Sequence, residues 1–183
     1  MIQLHCTQKL LAKLPVNASG RLPNTRARPS AANDPGESPL SGWHANLLTL
    51  QRRNCVLFVH GTTRFPVLLT CLTKPDFAEL GYLFQDGLMN TLLKGGASQA
   101  QLNAAARALA PLQCDMLRDR SVQGTLNQMK QDVEHMLWYD RVAIEHLGPY
   151  STGAWLAERP CGVKGDKDYV WPMKEMLALL DPG

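Results

Sequence analysis

The chain has 183 residues, 45% of them hydrophobic, enough for one real core and too little for two comfortable domains. Its net charge of +3, from 19 basic and 16 acidic residues, is not that of a polycation, so any contact with nucleic acid has to come from a local patch. Cys6, Cys55, Cys71, Cys114 and Cys161 are odd in number and scattered, which fits reduced thiols better than a disulfide frame. With no signal peptide and no run long enough to span a bilayer, a cytoplasmic protein without membrane contact is expected.

In chain order, Ile2, Leu4 and Cys6 alternate with Gln3, His5 and Thr7, the period of a strand with one buried face. A short helix follows over about 8–14 and stops at Pro15. Over 16–42 the composition turns to Asn, Ser, Gly, Pro and Arg. Such a stretch buries too little apolar surface to offset its ordering entropy and reads as a long surface loop or insert. Its Arg21, Arg26 and Arg28 read as charge that keeps a loop soluble, or as a basic arm. The runs 44–51, 55–60 and 65–72 are apolar, β-branched or aromatic. Turns at Arg52-Arg53-Asn54 and Gly61-Thr62-Thr63-Arg64 link them, which predicts an antiparallel meander.

The apolar period then lengthens. Asp76 is expected to cap a helix carrying Phe77, Leu80, Phe84, Leu88 and Leu92, ended by Gly95-Gly96. Ser98-x-x-Gln101 opens a second helix with Leu102, Ala105, Leu109 and Leu112 facing inward. Ser121 is expected to cap a third that runs to about residue 140, with Val122, Leu126, Met129, Val133 and Met136 as its core stripe. Short helices over 151–158 and 172–180 complete the chain. The expectation is one α+β domain over 1–183: an antiparallel sheet of about four strands, the N-terminal strand joining the meander, covered on one face by C-terminal helices. The alternative is that those helices form a small bundle of their own.

The polar constellations are few. Arg120 and Ser121 stand at a helix start, where unpaired N–H groups and the positive dipole end attract anions. Arg120, Gly124, Asn127 and Gln131 follow on one side of that helix, and the plain alternative is a solvated face with an ordinary cap. His44 and Asn46 share a strand face and offer an acid or base and an amide, although Leu48 and Leu50 continue that face and also suit a structural histidine. Arg52, Arg53 and Arg64 lie in turns, where arginines are mostly solvated. The histidines and cysteines lack zinc-site spacing, and neither a phosphate loop nor a nucleophile elbow occurs, so no metal and no cofactor are expected.

Cys6-Thr7-Gln8-Lys9-Leu10-Leu11, Trp43-His44-Ala45-Asn46-Leu47-Leu48, Arg52-Arg53-Asn54-Cys55-Val56-Leu57-Phe58 and Arg120-Ser121-Val122-Gln123-Gly124-Thr125-Leu126-Asn127, with a weaker match at Leu156-Ala157-Glu158-Arg159-Pro160, resemble a family of small bacterial proteins, domain of unknown function 6933. The resemblance implies a single domain and a recurring polar set, here Thr7, Lys9, His44, Asn46, Arg53, Arg120, Ser121 and Asn127, and it implies no activity. His60, where the family pattern suggests a smaller polar residue, and the insert depart from it.

Two functions follow as expectations. In the first, the protein binds or processes a phosphate-bearing ligand, nucleic acid or a nucleotide, without a metal: His44 and Arg120 act on it, and Thr7, Lys9, Asn46, Arg53, Ser121 and Asn127 bind it. In the second, a non-enzymatic interaction or defence-associated accessory protein, the same cluster braces the helix against the sheet and the partner is a protein. Whether His44, Arg120 and Asn127 converge on one open pocket divides the two.

Overall fold

The structure is a computed structural model that describes residues 1–23, 37–163 and 169–181. Of the expected insert, residues 24–36, with Arg26 and Arg28, lie outside the described residues. The elements are β1 (Ile2–Cys6), α1 (Gln8–Leu11), β2 (Trp43–Leu50), β3 (Arg53–His60), β4 (Pro66–Leu72), α2 (Lys74–Ala78), α3 (Leu80–Lys94), α4 (Gln99–Ala108) and β5 (Leu112–Asp115). Next come α5 (Arg120–Tyr139), a 3₁₀ turn (Ile144–His146), α6 (Pro149–Ala157), the short pair β6 (Cys161–Gly162) and β7 (Tyr169–Val170), and α7 (Pro172–Leu179).

The α+β class holds, but the sheet is mixed rather than antiparallel. Its order is β4-β3-β2-β1-β5. β2, β3 and β4 form the antiparallel meander, while β1 lies between β2 and β5 and runs parallel to both. The segment between Cys6 and Trp43 supplies the long crossover that parallel pairing requires. The fifth strand replaces part of a predicted helix. α4 ends at Ala108, and Pro111, which disfavours helical backbone before it, releases Leu112-Gln113-Cys114-Asp115 to alternate buried and half-buried as a strand. Leu112 is therefore a strand residue.

The helices cover both faces of the sheet, not one. On the first, Ile2, Leu4, Trp43, Ala45, Phe58 and Val67 pack with Phe84, Leu88, Ala105 and Met176. On the second, Leu48, Leu50, Leu57, Val59 and Leu68 pack with Val122, Leu126, Met129, Val133 and Leu137 of α5; Leu137, not Met136, completes that stripe. Burial on both faces explains why the meander strands read as continuous apolar runs. α5 packs on β2 and β3. Toward β1 and β5 the same face carries Gln3, His5, Gln113 and Asp115, each only half-buried.

Local chemistry sets the joints. The β2–β3 turn is Gln51-Arg52, both at positive φ (46° and 67°), a two-residue link that matches strand twist without glycine. Gln51 offsets that strain by donating to the Val142 carbonyl and accepting from the Ile144 N–H. Helix α2 starts one turn earlier than expected, at Thr73, whose N–H donates to the Asp76 carboxylate. The Gly20 carbonyl accepts from the Cys114 N–H, and Arg21 bridges to Gln113, so the first residues of the insert cover the free edge of β5.

Candidate functional site

The second face of the sheet carries a row of polar side chains across three strands. Asp115 of β5, His5 of β1 and His44 of β2 are register partners, all on the face that α5 covers farther along. The Asp115 carboxylate lies 2.6 Å from His5 Nδ1 and also accepts from the Leu117 N–H. The His5 and His44 rings are 4.7 Å apart, centre to centre. One step along the same face, the Thr7 hydroxyl donates to the Asn46 amide oxygen at 3.0 Å. His44 is buried, and its Nδ1 meets no hydrogen-bond partner among the described residues. Burial, with His5 beside it, lowers its pKa to about 4, so its ring is neutral at physiological pH.

Arg64, in the turn between β3 and β4, closes the row where β2 begins. The expectation of a solvated turn arginine does not hold: it is 5% exposed. Its backbone is left-handed at φ 61°, which sends the side chain under the start of α5 instead of out to water. Nη2 donates to the Ser121 hydroxyl at 3.1 Å, while buried Nε and Nη1 meet no acceptor among the described residues. Burial pulls its pKa below the usual arginine value, opposed by the nearby Asp119 carboxylate.

Asp119, not Ser121, caps α5: its carboxylate accepts from the Ser121 and Val122 N–H groups at 2.7 and 3.2 Å. Those bonds, with Arg64 and His44 nearby, hold its carboxyl below the usual range. With Asp119 at this work, the Ser121 hydroxyl is free to meet Arg64. From Ser121 a cleft of about 640 Å³ runs along α5, lined by Arg120, Gly124, Gln128 and Asp132 on one side and Leu156, Arg159, Cys161 and Gly162 on the other.

Of the residues expected from sequence, Thr7, His44 and Asn46 stand together in the row, and Arg120 and Ser121 line the cleft. Lys9 is exposed on α1, and Asn127 is exposed on α5 and is not among the residues lining the cleft. Arg53 is at the far end of the meander, paired with Glu145 at 2.8 Å. His44, Arg120 and Asn127 thus do not converge on one pocket.

Three residues escaped the sequence reading: His5, Asp115 and Arg64. Strand alternation placed His5 on the polar face. Its partnership with a residue 110 positions away is a matter of strand order, which no local pattern carries. His60 is buried; its Nδ1 lies 2.9 Å from the Thr63 hydroxyl and its Nε2 2.9 Å from the Ser41 carbonyl.

A family model, domain of unknown function DUF6933, matches residues 3–175. The chain belongs to the DUF6933 family. That span takes in both the polar row and the cleft of this DUF6933 protein, from His5 through Arg159. No curated protein and no solved structure matches it. Among its described residues no three His, Cys, Asp or Glu side chains gather as a metal site would need, and no helix is long and apolar enough to cross a membrane.

Proposed function

We propose that the protein binds a phosphate-bearing ligand, a nucleotide or nucleic acid, where Arg64 meets the start of α5. The observation that carries this reading is Arg64 itself: a buried guanidinium, two of whose nitrogens meet no acceptor among the described residues, beside the start of a 20-residue helix. A buried charge left short of partners is expensive, and so is a non-glycine residue at φ 61°. An anion seated against Ser121 offsets the first cost: it supplies the acceptors that the guanidinium N–H groups lack. Arg120 on the cleft rim adds charge, and the Thr7–Asn46 pair and neutral His44 give polar contacts beside it.

The test is a melting series with sulfate, inorganic phosphate and nucleotides. Phosphate should raise the melting temperature of the wild type and leave Arg64→Met unmoved. No shift in the wild type would sink the reading.

A second reading, a non-enzymatic interaction protein, draws on Trp138 and Tyr139, which are 76% and 72% exposed at the end of α5. Under it, no anion changes the melting temperature, and Arg64 with Ser121 only braces the helix.

A further inference from the structure

We infer that the cleft along α5 and an aromatic hollow at its far end form one groove, and that its occupant is a single-stranded nucleic acid, with one phosphate at the start of α5 and a base on the far rings. The inference rests on the phosphate reading above.

The groove follows from helical spacing. Gly124, Gln128, Asp132, His135 and Tyr139 recur three or four residues apart and so share one side of α5. The first three line the cleft of about 640 Å³. Asp132, His135 and Tyr139, with Trp155 and Arg159, line a second hollow of about 240 Å³. Asp132 and Arg159 border both, so the two spaces meet at that pair. From Arg120 to Tyr139 the helix rises about 28 Å, room for several nucleotides rather than one.

The two ends differ in chemistry. At the start, Arg120 and Ser121 line the cleft, and the Ser121 hydroxyl accepts from buried Arg64. At the far end the His135 and Tyr139 rings stack 6.0 Å apart, and Tyr139 is largely exposed. The Arg159 guanidinium lies 4.8 Å from the centre of the Trp155 ring. Between the ends, Asp132 faces Arg159 at 3.5 Å, so the carboxylate that would repel a phosphate chain already has a cation beside it. Asp140, the other acid, borders the far hollow, where a base rather than a phosphate sits.

This distribution selects the ligand. A single nucleotide held by its phosphate at Ser121 leaves its base over Gln128, Met129 and Leu156, and among the described residues no side chain lining the cleft is aromatic. His135 lies about 20 Å farther along the helix than Ser121, beyond the reach of one nucleotide. A duplex hides its base faces within its own stack. A single strand presents them, and aromatic rings stack on any base. Gly124 gives the strand its passage: a Cβ built there meets nothing within 4 Å, so open cleft lies over it and a sugar or phosphate passes close to the helix.

The experiment measures the anisotropy of labelled dodecathymidylate, dodecauridylate, thymidine dinucleotide and the duplex of dodecathymidylate with its complement, titrated with the full chain. Phosphate-dependent melting shifts are recorded in parallel. Either single dodecamer should bind at least about 5-fold more tightly than the dinucleotide or the duplex. Tyr139→Ala should weaken single-strand binding by at least about 5-fold and keep the phosphate shift, since it lies about 27 Å along the helix from Ser121. Gly124→Leu should weaken it as much while holding or raising the melting temperature, because leucine is the better helix former. A normal phosphate shift with no preference for the longer single strand, with the duplex bound equally, or with either variant binding as the wild type does, overturns the inference and leaves the phosphate reading standing; a protein partner on these rings would give that result. Absence of a phosphate shift in the wild type overturns both.

Discussion

Arg64 ties the row to the cleft, and its surroundings predict an asymmetry between stability and binding. Replacing a buried charge that lacks partners with an apolar side chain of similar length is often neutral or stabilising. Arg64→Met should therefore hold or raise the urea midpoint of the ligand-free protein while losing its response to phosphate; a clear drop in midpoint would show that Asp119 and Ser121 already satisfy the charge.

The two buried histidines set the pH response. His44 and His60 both have values lowered from 6.5 to about 4, chiefly by burial. Between those pH values the unfolded chain binds protons that the folded one does not. Stability should thus fall as pH falls from about 6.5 to 4, by on the order of 3 kcal/mol for each ring. Urea midpoints across that range should show the slope, and His60→Gln should flatten it. At this scale the sequence was half legible. Alternation along β2 put His44 and Asn46 on one face, but nothing local distinguishes Arg64, which turns inward, from Arg52, which stays exposed.

For the elements, the start of α5 shows how near misses arise. Asp119 and Ser121 are both good cap residues, and only backbone geometry says which N–H groups meet which side chain. Asp119→Ala should cost about 1 kcal/mol through the lost cap. Ser121→Ala should cost less in the absence of ligand and weaken the phosphate response instead; equal thermal losses for the two variants would contradict that division. The C-terminal end of α3 and the capping box of α4 were readable from Gly95-Gly96 and Ser98-x-x-Gln101, because those signals are local, whereas the break at Glu79 that divides the expected single helix into α2 and α3 was not. β5 was not, since Leu112 fits a helical spacing with Leu109 as well as strand alternation with Cys114, and Pro111 decides the matter.

Across the whole molecule, the hidden information was strand order. The meander was evident from its short links, whereas the direction of β1 and its place between β2 and β5 depend on contacts across the long insert and across α2 to α4. β1 is central and fully buried on its apolar face at Ile2 and Leu4. Leu4→Ala should cost about 2–5 kcal/mol and lower the urea midpoint seen by tryptophan fluorescence and by circular dichroism together. Separate transitions would mean that the meander survives without β1.

The same placement of β1 has a kinetic side. The hairpins of the meander close over a few residues, but β1 must find both Trp43 and Cys114, at sequence separations that make loop closure slow. Asp115, His5 and His44 therefore come into line only when the last gap in the sheet is filled. A nascent or partly unfolded chain can hold most of its secondary structure and still lack the row, so any chemistry performed there is switched on by the completion of folding.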